Sequence, residues 1–591
     1  MATTKGCDLI TETLIDEGID HVFGICGHGN VGLLDGLYAR RDDIRLVSPR
    51  HEQTAVHMAD GFFRVSHKPA ATLTSTGPGS ANQIMALAVA QTDSSAVYSI
   101  TANVPTGQFN RGPFQELNMH HHADFNSVIK PVVKRSFQPT RVEMLPLAMR
   151  QAAATMTTGR PGPVNIDIPY NLFQEEAEVE REPKGSAFGQ RRPGANPEDV
   201  ATVTDWLMTA KRPVIFIGHG VTLSEASEEL TALAKGMGIP VISSPNGMGC
   251  IDMEDPLSLG FIGRNGDYAA NQAGRHSDLV IAIGARFDDR SASSWKPGYS
   301  WNFPKTKLVH VDLDHGELGR NYQPDLPILA DARAFLRQIL TSLESKGALK
   351  PSFDPWLSDI AGWNKEWVDF IAPNWGSDSD PISPFRIVED CQRVLPADTI
   401  LSLDSGVHHN WYMQFWKARR PQSMLNTWGY SGMGFGPSAI LGAKLAAPHR
   451  PCVSICGDGG FTMVPHVLCT AVEYNIPVVW VVWNNFAWGA IRDLQYGYFE
   501  GREYGTAFYA GDNQERYNPD FAAWARAAKV DGYTVTKSGD FAATLEAAIA
   551  SNRPALIDVH VDADVRPPAT GTWELPPLVP KEPAFGGPWR P

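Results

Sequence analysis

Apolar runs of about four to eight residues alternate along the chain with amphipathic segments of about ten to fifteen. That rhythm predicts βαβ units around parallel sheets. Near the start, Cys7, Ile10 and Leu14 recur at helical spacing, Gly18 stops the helix, and His21 to Ile25 begins a strand. The greasiest stretch, 476–483 (IPVVWVVW), reads as a strand buried on both faces. It is far too short for a bilayer, which takes about 20 residues. Three segments echo one another: 160–168, 212–218 and 553–559, each an Arg-Pro followed by an apolar strand. The expectation is an α/β protein of three doubly wound parallel-sheet domains, at 1–180, 195–342 and 380–561, with a proline-rich tail at 562–591. Residues 172–196 and 343–383 are charged and Gly/Pro-bearing and read as surface linkers. The tail holds eight prolines, which exclude regular helix or strand. Its Trp573, Leu575, Leu578, Phe585 and Trp589 suggest packing over a neighbour.

Composition narrows the class. The 591 residues exceed one hydrophobic core, and 43% hydrophobic with 20% charged residues excludes a disordered or coiled-coil chain. Acidic residues outnumber basic ones, 65 to 51, for a net charge of −14, so nucleic acid is a poor partner. The seven cysteines are odd in number and sparse, without a CxxC pair. That argues against a disulfide framework or zinc site and for a reducing, cytoplasmic location. The N-terminus lacks the apolar core of a secretory signal. A small-molecule partner, with neither nucleic acid nor membrane, is expected.

The strongest chemistry starts at 452–456, a strand that ends in Gly457-Asp458-Gly459-Gly460. A helix is expected at about 461–474, then the 476–483 strand, then Asn484-Asn485. Asp458 and Asn485 stand 27 residues apart. In a right-handed βαβ unit both strands end on the same sheet edge, where ligands bind. Their hard oxygens can converge there on magnesium or calcium, while the glycines let backbone N–H groups approach a phosphate. A lone GDG is only a tight turn; the whole interval is far more specific.

This interval resembles the diphosphate-and-metal motif of thiamine diphosphate (ThDP) enzymes. The resemblance implies Mg²⁺ held by Asp458, Asn485 and the Ala487 carbonyl, with Gly457, Gly459 and Gly460 lining the diphosphate. Arg50-His51-Glu52-Gln53 and the following Ala59-Asp60-Gly61 look like the family's RHEQ…AADGYAR segment. Glu52 then falls on the glutamate that promotes the imino tautomer of the aminopyrimidine, so that the cofactor's own nitrogen takes its C2 proton. Thr74 to Asn82 resembles the TSGPGATN turn, which implies a cofactor contact at Asn82. Phe114-Gln115-Glu116 matches an FQE triplet, with Gln115 toward the reacting oxygens. Met433, with Ser431 beside it, falls where a bulky residue bends the cofactor, and His408 where a histidine contacts the diphosphate.

The resemblance covers about residues 5–560 and is closest to the acetolactate synthase group. Residues 284–290 (GARFDDR) match that group, which implies a substrate carboxylate on Arg286. Departures leave the substrate open. Gly27-His28-Gly29-Asn30 replaces the synthases' proline turn and resembles ThDP hydrolases of cyclic 1,2-diones, where His28 would move protons or activate water. Residues 485–490 around Trp488 resemble sulfoacetaldehyde acetyltransferase, which puts Trp488 against substrate. His120-His121-His122 reads as a polar rim or plain surface, not a zinc site. The function implied is making or breaking a C–C bond beside a carbonyl. An acetolactate-synthase-like carboligase acting on 2-oxo acids comes first. A dione hydrolase or lyase, or an acyltransferase, is the alternative. The resemblance also implies a homodimer or homotetramer in which Glu52 meets Asp458 across subunits. The segments that bind FAD in the synthases are half matched, so FAD stays open.

Overall fold

A computed structural model describes residues 2–117, 124–180, 191–349, 353–511 and 515–568. The histidine run at 120–122 and the tail aromatics lie outside the described residues. Three six-stranded parallel sheets with helices on both faces organise the chain. The first has strands β1 (His21–Gly24), β2 (Arg45–Val47), β3 (Ala70–Thr74), β4 (Val97–Asn103), β5 (Arg135–Phe137) and β6 (Val164–Pro169). The second has β7 (Pro213–Ile217), β8 (Val241–Ser243), β9 (Ser258–Phe261), β10 (Leu279–Ile283), β11 (Lys307–Asp312) and β12 (Leu326–Leu329). The third has β13 (Ile400–Leu403), β14 (Met424–Leu425), β15 (Cys452–Gly457), β16 (Val479–Asn484), β17 (Asp531–Val535) and β18 (Ala555–His560).

The first sheet runs β2-β1-β3-β4-β6-β5 and the third β14-β13-β15-β16-β18-β17, the same order twice. The second runs β9-β8-β7-β10-β11-β12, the order of dinucleotide-binding sheets. The central strands are buried along their length, as the apolar runs predicted.

Three expectations change. The 343–383 segment contains helix α4 (Asp354–Ile371), whose Trp356, Ile360 and Trp367 are buried. Its charged flanks masked an amphipathic repeat of four and seven residues. Within 172–196, Glu176–Val179 pairs antiparallel with Ala2–Lys5, so part of that linker is strand. The helix expected at 461–474 is also broken. Helix α7 (Asp458–Met463) stops at Val464, and a second helix starts at Val467. Pro465 lacks an N–H and bars its predecessor from helical geometry, which explains the break.

Helix α2 (Glu52–Ser66) lies between the first sheet and helix α6 (Phe435–Ala446) of the third, and almost all of it is buried. Small residues allow this approach: a methyl on Gly61 would overlap Ala439, and one on Gly442 would overlap the Met58 carbonyl. Arg64 then bonds Asp60 at 2.6 Å, Asp93 at 3.0 Å and the Asn426 carbonyl at 2.6 Å, joining the two units inside the protein. Gly442→Ala should therefore cost stability despite alanine's better helix propensity. Overpacking of this kind costs about 1–3 kcal/mol, against about 1 kcal/mol gained. A lower urea midpoint for the variant checks this; an unchanged or higher one refutes the tight crossing.

Candidate active site

The first sheet reverses strand order between β1 and β3, and ligands bind at such a switch point. The turn after β1 is locked onto the turn after β3. Gly27 N–H donates to Asn30 Oδ1 at 2.9 Å, Asn30 Nδ2 to the Ile25 carbonyl at 2.9 Å, and Gly29 N–H to Ser75 Oγ at 3.3 Å. This leaves His28 exposed, its ring 5.7 Å from Phe114 and edge-on to Tyr170. Gln115 has φ +62°, and its carbonyl presses on Gly77, itself at φ +59°. Only glycine accepts both that dihedral and that contact. Glu52 opens α2. Asn82 Nδ2 donates to its Oε2 at 3.0 Å, and its Oε1 faces the bare Cα of Gly79. His28, Glu52, Asn82 and Gln115 thus share one edge.

The third sheet has its switch point between β13 and β15, where Asp404 and Asp458 emerge. Asp458 is buried, and burial pushes its carboxyl up to about 7. Its Oδ1 accepts Gly459 N–H at 2.8 Å; its Oδ2 accepts Ala487 N–H at 3.3 Å and Asn518 Nδ2 at 2.8 Å. Gly459 N–H therefore orients the carboxylate and is not open to a phosphate. The Phe486 backbone N–H also bonds this carboxylate, whose Oδ1 stands on the Gly459 side. Ala487 faces Ala507 as a non-bonded pair, because the ladder bonds run from Trp488 N–H and Phe508 N–H on either side. The Ala487 carbonyl is thus not spent in that ladder. Asn485 is buried alongside. These oxygens suit a hard divalent cation.

Around this turn the other expected residues find their places. The Trp488 indole lies over Gly459, where a methyl would overlap the ring, and stands edge-on to Phe508 at 5.4 Å. Gly457 and Gly406 both back onto His408. His408 Nε2–H donates to the Asp404 carbonyl at 2.9 Å, and burial holds the ring down at about 4. Nδ1 is then an acceptor, so a phosphate contact there requires its protonation. Ser431 bonds Ser405 through hydroxyls at 2.9 Å.

Asp404 escaped the sequence reading. Its carboxylate takes Gly434 N–H at 3.1 Å and Gly436 N–H at 3.2 Å, which pins the Met433 loop, and it abuts Gly460. Its position at a strand end, opposite a glycine-rich loop, was the available signal. Gln53 Nε2 donates to the Met433 carbonyl at 3.2 Å, and Thr54 Oγ1 bonds His466 at 2.8 Å. The expectation set Glu52 against a partner's third domain. In one chain, the first turn of α2 already meets its own Met433 loop.

Arg286 lies elsewhere. It donates to the Thr92 carbonyl and, at 2.7 Å, to Ser94 Oγ, with Glu317 at 3.9 Å. It lines a cavity of about 440 Å³ at the switch point of the second sheet, with Arg160, Arg192, His219, Asp312 and Trp428. Arg290 was missed. Its guanidinium stacks 4.1 Å over Trp428 and has no ion pair among the described residues. Trp428 Nε1, Thr427 Oγ1 and His409 Nε2 are buried without hydrogen-bond partners among the described residues. His409 stands 4.7 Å from Trp428, and burial and Arg290 hold it well below its usual pKa. Arg290, under the pull of its neighbours Asp288 and Asp289, stands among polar groups without partners in the described residues, a setting that suits a small carboxylate.

Comparison with known proteins supplies the wider context. Residues 4–123 match the family described as thiamine pyrophosphate enzyme, N-terminal TPP binding domain. Residues 200–339 match its central domain, and 404–559 its C-terminal TPP binding domain. A probable acetolactate synthase large subunit of Methanocaldococcus jannaschii is 35% identical over 570 residues, 94% of this chain and 92% of that one. The acetolactate synthase large subunit of Haemophilus influenzae is 31% identical, covering 95% of each chain. The acetolactate synthase isozyme 3 large subunit of Escherichia coli is 29% identical, over 95% of this chain and 96% of its own.

Proposed function

Because the chain belongs to the acetolactate synthase family of thiamine pyrophosphate enzymes, we propose that it decarboxylates one 2-oxo acid and joins the remaining acyl unit to a second carbonyl. The observation that carries this reading is the link between the two switch points, through Gln53–Met433 and Asp404. When bound, ThDP supplies a carbon nucleophile that also stores the electron pair released from substrate. Glu52 Oε1, left free by the Asn82 bond to Oε2, holds a proton at the pyrimidine ring. Asp458 Oδ1, Asn485 and the Ala487 carbonyl would hold Mg²⁺, and Met433 would pack against the cofactor. Arg290, rather than the engaged Arg286, receives a substrate carboxylate, and Gln115 orients the reacting oxygen. Trp488 walls the pocket.

Incubation with ThDP, Mg²⁺ and pyruvate should yield CO₂ and acetolactate; the absence of both would sink the reading. Arg290→Ala should raise KM for pyruvate by about 10–100-fold, the worth of one hydrogen bond to a charged group. A fall confined to kcat would remove Arg290 from substrate binding. His28, exposed at the rim, supports the dione hydrolase or acyltransferase alternative, and the same assay with a cyclic dione tests it.

Two finer readings go with this. The central cavity lies at the switch point of a sheet in dinucleotide-binding order and mixes arginines with carboxylates, and its place favours FAD there; flavin absorbance of the purified protein decides it. Exposed Phe114, Ile491, Phe499 and Tyr504 support a homodimer or homotetramer, which light scattering measures. All seven cysteines are free, which supports a cytoplasmic location. No described helix is long and apolar enough to cross a membrane.

A further inference from the structure

Asn518 lies outside the Asp458–Asn485 interval, yet its amide enters it. Its Nδ2 donates to Asp458 Oδ2 at 2.8 Å and to Asn484 Oδ1 at 2.7 Å. An amide nitrogen has two hydrogens, so both are used. Asn484 passes its own Nδ2 to Asp558 Oδ1 on β18 at 2.9 Å. A line of hydrogen bonds therefore runs from the carboxylate through Asn518 into the sheet. It also gives the first asparagine of the Asn484-Asn485 pair a task, which the sequence had left without one.

The route of the chain makes this bond more than local. After Ala487 the chain leaves the sheet as helix α8 (Gly489–Tyr498). It returns past the Tyr509–Ala510 and Glu515–Arg516 pair to Asn518, just before helix α9 (Phe521–Ala527). Asp520 caps α9 by accepting Ala523 N–H at 2.8 Å, which fixes the return point. The excursion carries Trp488, seated on Gly459, and the exposed Ile491, Phe499 and Tyr504. Both of its ends rest on one carboxylate oxygen: Ala487 N–H at the departure and Asn518 Nδ2 at the return.

Those two donors engage Oδ2, while Oδ1 accepts Gly459 N–H, and the Phe486 backbone N–H also bonds the carboxylate. We propose that Asn518 is a positioning residue of the metal site, which holds Asp458 Oδ2 so that Oδ1 faces the cation and which ties the return point of the chain, just before helix α9, to that carboxylate. The inference rests on the Asp458 metal reading proposed above. Without Asn518 the carboxylate can rotate, and the excursion loses its anchor at one end.

The test titrates Mg²⁺ into full-length protein with saturating ThDP and reads tryptophan fluorescence, to which Trp488 contributes from its seat on Gly459. Asn518→Ala should raise the half-saturating Mg²⁺ concentration by about 10–100-fold, the usual cost of losing a partner that orients a ligand. Asn518→Leu, which keeps the volume but donates no hydrogen bond, should raise it as much. The rise in Tm on adding Mg²⁺ should shrink in both. A shift below about twofold in Asn518→Ala overturns the proposal, measured against that 10–100-fold scale. Recovery of wild-type affinity by Asn518→Leu also overturns it, since packing alone would then suffice. A wild type with no Mg²⁺ response overturns the metal reading itself, and the proposal with it.

Discussion

Glu52→Gln should lower kcat by about 10²–10⁴, the span that a positioned proton-holding group supplies, while leaving the protein folded. The side chains share a shape, and a glutamine oxygen can still accept from Asn82 Nδ2. What the amide cannot do is hold a proton at the cofactor's pyrimidine ring. Loss of a carboxylate from the first turn of α2 weakens its match to the helix dipole by only about 0.3–1 kcal/mol. The informative measurement is hydrogen–deuterium exchange at C2 of bound ThDP. Exchange should slow in step with turnover, while Tm barely moves. Unchanged exchange would remove Glu52 from activation, even if turnover fell.

Asp458→Asn is the second large effect. Burial already pushes this carboxyl up to about 7, so the fold gains little from its charge without a cation. An amide of the same shape keeps one acceptor oxygen, either for Gly459 N–H or for Ala487 N–H and Asn518 Nδ2. The cation loses its only anionic protein ligand in the proposed set. The loss should exceed the roughly 10–100-fold cost of removing an outer partner, in both Mg²⁺ affinity and turnover. Calorimetric Mg²⁺ titration reads the first, and acetolactate formation the second. Mg²⁺-dependent turnover near the wild-type level in this variant would show that another site holds the metal.

The sheets were legible because strands buried on both faces carry short apolar runs, as at Val479–Asn484. The Asp458–Asn485 spacing was legible because one βαβ unit fixes it. What stayed hidden depends on distant chain. Asn518 meets Asp458 across 60 residues, and Asp404 meets Gly434 across 30, so no local period records either. Arg286 and Arg290 sit in one short segment with Phe287 at φ +51°, so helical or strand spacing cannot tell which faces the pocket. Arg286 bonds the Thr92 carbonyl and Arg290 stacks on Trp428, contacts with distant chain that no local period records. Helix α4 was hidden differently: its pattern was present, but the charged, Gly/Pro-bearing flanks suggested a linker. The pairing of Ala2–Lys5 with Glu176–Val179 joins the two ends of one domain, and four-residue partners carry too little pattern to announce it.

The shared interior of the first and third sheets sets a schedule for biosynthesis. One continuous core holds Phe23 to Val133 together with Ile400 to Leu556. During synthesis the first set emerges about 270 residues before the second begins. At about 5–20 residues per second, that is a wait on the order of 10–50 s. Throughout it, the face of α2 destined for α6 has no cover. The middle domain, which emerges in between, cannot supply it, because its own core is separate. A chain cut between the second and third domains would meet the solvent with that face bare, so expression of the whole polypeptide, not of its N-terminal half, is the condition for a soluble first domain.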